Sequence, residues 1–109
     1  GEEILSPEEE VGKNVAERLL TPGMLMAVQL PDNYEIVEVE APKSTVGRSL
    51  EDIGLTKKYK LSLITLLRKT NGDHHILGVP EDDTVVEPND LMVVFGTTKD
   101  VERFIHINA

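Results

Sequence analysis

The spacing of apolar positions changes several times along the chain, and each change marks an element. From Ser6 to Leu20, Val11, Val15 and Leu19, with Ala16 and Leu20, recur at helical intervals and form one apolar stripe. Ser6-Pro7-Glu8-Glu9 opens this predicted helix with a capping hydroxyl, Pro in the first turn and Glu at the third helical position. Glu8, Glu9 and Glu10 lie where the helix dipole favours negative charge, and Thr21-Pro22-Gly23 ends the segment. Neighbouring sequence offers the stripe no partner, so this helix is expected to dock on an adjoining domain or subunit. Met24–Leu30 is a short apolar segment between two Pro-containing turns, too short for periodicity to separate helix from strand. With Thr21 as a cap it reads as a second short helix, a strand being the alternative. Pro31-Asp32-Asn33 reads as a loop dividing an arm, 1–32, from a second unit, 33–109.

Downstream the pattern shortens. Tyr34–Ala41 alternates in part, with Glu35, Glu38 and Glu40 among Ile36, Val37 and Val39, as a strand with one wet face does. Ser49 is placed to cap a short helix in which Leu50 and Ile53 face inward before Gly54 interrupts. Leu61–Arg68 is apolar apart from Ser62, Thr65 and its terminal Arg, and reads as an interior strand. Asn71-Gly72 is a tight-reversal signal leading into His74–Val79. Pro80–Asp83 is a polar loop, Thr84–Val86 a candidate short strand and Leu91–Phe95 a buried strand. Thr98 is the expected cap of a closing helix to Phe104, with Val101, Phe104 and Ile105 on one side.

Composition narrows the possible functions. With 109 residues, no Trp, two Tyr and two Phe, the core must rest on aliphatic side chains. A core of that size is modest, and an oligomer interface would supplement it. A net charge of −9 opposes binding to nucleic acid or to an anionic membrane surface. No apolar run approaches the roughly 20 residues of a spanning helix. The absence of cysteine rules out a disulfide framework and thiolate chemistry and fits a reducing compartment. The chain opens on Gly1, which reads as the cut end of a longer protein.

Little in the chain resembles catalytic machinery. His74 and His75 are neighbours on an expected strand and point to opposite faces, while His106 lies far along the chain. No metal site is expected, because no Cys completes a tetrahedral set. Glu81-Asp82-Asp83 lacks the ligand spacing of a calcium loop and reads as a solvated turn. No serine occupies a nucleophile elbow, and the glycines form no phosphate-cradling motif. One basic cluster stands out: Lys57, Lys58 and Lys60, with Arg48 nearby and Arg68-Lys69 beyond the next strand. Its plain reading is an exposed helix end, where cations offset the dipole. Its functional reading is a site for a small anionic ligand, lined by these cations and Ser62.

Tyr34-Glu35-Ile36-Val37-Glu38-Val39, Val46-Gly47-Arg48-Ser49-Leu50 and Asn89-Asp90-Leu91-Met92-Val93-Val94-Phe95-Gly96 together resemble the C-terminal lobe of RCK proteins, the TrkA C-terminal domain. Ile4-Leu5-Ser6-Pro7-Glu8 and the helix to Leu20 look like the end of the preceding nucleotide-binding lobe and its crossover. The resemblance implies an α+β fold, a small sheet with short helices preceded by a helical crossover arm. It implies a non-enzymatic, cytoplasmic regulator of potassium uptake, peripheral to the inner membrane through a transporter or channel subunit. A homodimer within a larger ring is expected, with no nucleic-acid partner and no direct membrane insertion. The missing N-terminal lobe would hold the nucleotide, NAD(H) or ATP/ADP, leaving this fragment without a cofactor of its own. The expected ligand-binding residues are Leu50, Thr56, Lys57, Ser62 and Leu63, at or near the dimer cleft. Some Ktr-type members bind cyclic di-AMP there through an Arg and an Asn. The aligned positions here carry Thr56 and Ser62, and a hydroxyl does not grip phosphate as a guanidinium does.

Overall fold

The computed structural model describes residues 20–109, and the helix expected from Ser6 lies outside the described residues. Five antiparallel strands form one sheet, β1 (Met24–Gln29), β2 (Tyr34–Glu40), β3 (Ser62–Thr70), β4 (Asp73–Ile76) and β5 (Leu91–Thr97), in the order β1-β2-β5-β3-β4. Two short helices, α1 (Leu50–Ile53) and α2 (Leu55–Tyr59), lie between β2 and β3, and α3 (Thr98–Asn108) follows β5. The fold is α+β, as the resemblance implies.

β5 is central because its alternate residues Met92, Val94 and Gly96 are small or apolar enough to be buried on one face. It pairs with β2 from Tyr34↔Thr97 to Glu40↔Leu91 and with β3 from Ser62↔Phe95 to Leu67↔Leu91. Val37, Val39, Leu66, Met92 and Val94 meet Val101, Phe104 and Ile105 in the core. Gly96 is close-packed: a Cβ there would overlap Leu61 Cδ2, and Leu61 is itself fully buried. Asn71 and Gly72 both take positive φ, 54° and 87°, and reverse β3 into β4.

Several expectations are corrected. Met24–Gln29 is a strand, not a helix, and pairs along β2 with Ala27↔Val37 and Gln29↔Glu35. A helix of that length leaves most of its backbone groups unpaired, whereas the open edge of β2 offers a ladder. Glu35 does not face water. The inward phase of Val37 and Val39 carries Glu35 with it, since side chains alternate with period two. Its Oε1 accepts from Gln29 Nε2 at 2.8 Å and from Thr98 Oγ1 at 3.1 Å. Thr97, not Thr98, caps the last helix, accepting from the Asp100 amide at 3.2 Å, and that helix continues to Asn108. Thr84–Val86 forms a single bridge, Ser49↔Val85, in place of a strand. β3 runs on to Thr70, past Arg68.

Candidate ligand site

Ser49 starts α1 by accepting from the Asp52 amide at 3.1 Å. Gly54 at φ 71° ends α1 and begins α2, a left-handed position that glycine takes without steric cost. Backbone bonds then tie this corner to the 82–86 segment. Gly47 N donates to Val86 O, Val86 N to Arg48 O, Leu50 N to Thr84 O and Glu51 N to Asp82 O, at 2.7–3.0 Å. Below Pro80, the Thr65 hydroxyl donates to Gly78 O at 2.6 Å.

Between these walls lies a cleft of about 280 Å³. Leu50, Thr56, Lys57, Ser62 and Leu63 all line it, so the five expected ligand-binding residues are brought together. Leu50, Leu55, Leu63 and Pro80 contribute apolar side chains to a mostly polar lining, and Thr56 and Ser62 add hydroxyls. Thr56 Oγ1 donates to Leu61 O at 3.2 Å, which leaves its lone pairs to accept.

The two arginines of the basic cluster are engaged elsewhere. Arg48 Nε pairs with Asp52 Oδ2 at 2.6 Å, and its hydrogen bond and charge hold the Asp52 carboxyl below the usual carboxylate range. Arg68 grips Asp90 with Nε and Nη2 at 3.0 and 2.8 Å, and donates to Val85 O. The Asp90 hydrogen bond pushes the Arg68 pKa above its ordinary value. Lys58 and Lys60 are exposed and do not line the cleft.

Sequence reasoning missed Glu51 and Asp82, two acidic residues that line the same cleft as Lys57. The signal for Asp82 was the acidic loop itself, but only the ladder to residues 47–51 turns that loop toward the helices. His74 and His75 are exposed opposite Lys69 and Arg68. Among the described residues no group of three or more His, Cys, Asp or Glu is placed to hold a metal ion. No helix among them is long and apolar enough to cross a membrane.

Comparison with known proteins places this geometry. Residues 34–108 match the TrkA-C domain. Ktr system potassium uptake protein A of Bacillus subtilis (strain 168) is 31% identical over 101 residues, which cover 93% of this chain and 44% of that protein. The chain thus spans under half the length of the curated relatives it matches. The RCK C domain of the potassium transport protein KtrA, in complex with cyclic diadenosine monophosphate, shares the fold with a TM-score of 0.57 and 21% identity, covering 92% of this chain and 98% of that one. The GsuK channel bound to NAD matches with a TM-score of 0.57 and 15% identity, covering 69% of this chain and 13% of that one. The chain belongs to the TrkA-C domain family and has the fold of the C-terminal lobe of RCK proteins.

Proposed function

We propose that this lobe is a non-enzymatic, ligand-responsive part of a cytoplasmic regulator of potassium uptake. The observation that carries the reading is the single cleft at which Leu50, Thr56, Lys57, Ser62 and Leu63 converge. The neighbouring KtrA lobe described with cyclic di-AMP supports a nucleotide-class ligand. Here Thr56, Ser62 and Lys57 replace a guanidinium grip, and Glu51 and Asp82 oppose a dianion. The ligand we favour therefore carries less negative charge than cyclic di-AMP.

Regulation would work by population shift: a ligand with unequal affinity for two arrangements of a homodimer biases them. Residues 1–32 would then lead in from a nucleotide-holding lobe, their β1 strand joining the sheet of the regulatory lobe, residues 33–109, and a membrane-embedded transporter or channel subunit would be the final partner. The GsuK channel described with NAD supports a dinucleotide in that preceding lobe. The test is a thermal-shift screen of nucleotides and metabolites on the wild-type chain and on the Thr56→Ala/Lys57→Ala double variant. A ligand of the cleft raises Tm in the first and loses most of that effect in the second. Equal shifts in both would remove the cleft assignment.

A second reading is a dimerisation lobe without a ligand. It is favoured by an exposed apolar run beside the cleft: Ile76 at 68%, Leu77 at 39% and Val79 at 89% exposure, leading directly into Pro80. A screen in which nothing shifts Tm, with a dimer still present in solution, selects it.

A further inference from the structure

We propose that Arg103 and Asn108 on α3 are positioning residues for the cleft, acting through α2; the inference rests on reading that cleft as a ligand site. α2 has five residues, far fewer than a helix needs to hold itself in water. Its N-cap is Gly54, with no side-chain cap hydrogen bond. At its other end Lys60 stands at φ 60°, a left-handed conformation that is unfavourable for a residue bearing a side chain. Intrinsic propensity therefore does not place α2. Its tertiary partners do.

One grip comes from the chain entering β3, where Leu61 N donates to Leu55 O at 3.0 Å. The other comes from α3. Arg103 Nη2 donates to Lys58 O at 2.9 Å, and its guanidinium carbon lies 5.3 Å from the centre of the Tyr59 ring. Phe104 meets the same ring edge-on, with centroids 5.0 Å apart. Asn108 Nδ2 donates to Tyr59 Oη at 3.1 Å and to Phe104 O at 2.9 Å, while its Oδ1 accepts from Ser44 Oγ at 2.7 Å. Asn108 is buried, so this node is held firmly.

The helix turn gripped in this way buries Leu55 and Tyr59 and exposes Thr56 and Lys57, the two residues of α2 whose polar groups line the cleft. Loosening the α3 grip moves or frees Thr56 and Lys57 without removing any atom of the cleft. Reciprocity follows: whatever immobilises α2 from the cleft side tightens its attachment to α3 by the same factor.

The test needs no ligand. Amide exchange is followed at Lys58, Lys60 and Leu61, which donate to Gly54 O, Thr56 O and Leu55 O. In Arg103→Ala and Asn108→Ala these three exchange roughly tenfold faster, while Val37 and Val94 in the β2–β5 ladder keep wild-type rates. Arg103→Lys, which keeps a cation above Tyr59, recovers most of the protection. Because the chain lacks cysteine, a nitroxide on Lys57→Cys gives a second readout inside the cleft, and its mobility rises when Arg103 is removed. Wild-type exchange and label mobility in both alanine variants would overturn the proposal, as would uniform acceleration across the sheet. A thermal-shift screen with no hits would sink the ligand reading alone and leave the α3–α2 link to be judged by these measurements.

Discussion

Single residues matter most where charge has been taken out of water. Asp90 is 1% exposed, accepts from two nitrogens of Arg68, and also accepts from the Glu87 amide at 2.9 Å. Arg68→Ala strands that carboxylate and is expected to cost about 3 kcal/mol in urea unfolding, the low end for a buried pair because the Arg68 side chain is 26% exposed. With the Arg68 pKa raised, its share of this pair is fully present at neutral pH and is lost only as pH rises through that raised value. Asp52 behaves in the opposite sense. With its folded pKa depressed, its contribution is present at neutral pH and fades as pH falls through that lowered value. An NMR titration should place its midpoint below that of the Arg48→Gln variant; coincident midpoints would remove the Arg48 effect. Neither pairing was legible in sequence. Arg48 reaches four residues along the chain and Arg68 reaches twenty-two, so both looked like spare cations for a ligand.

At the scale of elements, turns and caps were the legible part, because each is a local matter of backbone conformation. Gly54 divides α1 from α2 and Asn71-Gly72 reverses β3, where the chain signals them. β1 was not legible, since Met, Leu, Ala and Gln suit a helix and only the free edge of β2 outweighs that preference. Thr97 and Thr98 are adjacent candidates for the same cap, and the end of β5 decides between them. Thr97→Ala is expected to cost about 1 kcal/mol, with Thr98→Ala costing less at the cap itself. Close packing between elements predicts a larger effect. Gly96→Ala forces a methyl onto Leu61 and should destabilise by about 1–3 kcal/mol. Adding Leu61→Ala to it should cost less than the two single losses summed; strict additivity would refute the contact.

For the whole molecule, the order of motifs carried the fold class, while the composition of the cleft required three dimensions. Leu50, Thr56, Lys57, Ser62 and Leu63 could be proposed through the family resemblance, but Glu51 and Asp82 meet only across the backbone ladder. The exposed Ile76, Leu77 and Val79 make a prediction at this scale. Sedimentation across a concentration series should detect a dimer, and Val79→Glu should shift it toward monomer, since a carboxylate opposite its own symmetry mate is repelled. An unchanged association constant would move the interface elsewhere.

The register of β1 also has a mechanical consequence. The chain enters the sheet at Met24, opposite Val39, and lies against β2 as far as Gln29 opposite Glu35. A pull on the chain upstream of Met24, along the strand axis, loads those rungs together, as a tie rod loads its bolts, instead of peeling them one at a time. Tension from upstream would therefore reach β2 as a sliding displacement. β2 passes it to β5 over seven paired positions, and β5 runs without interruption into α3.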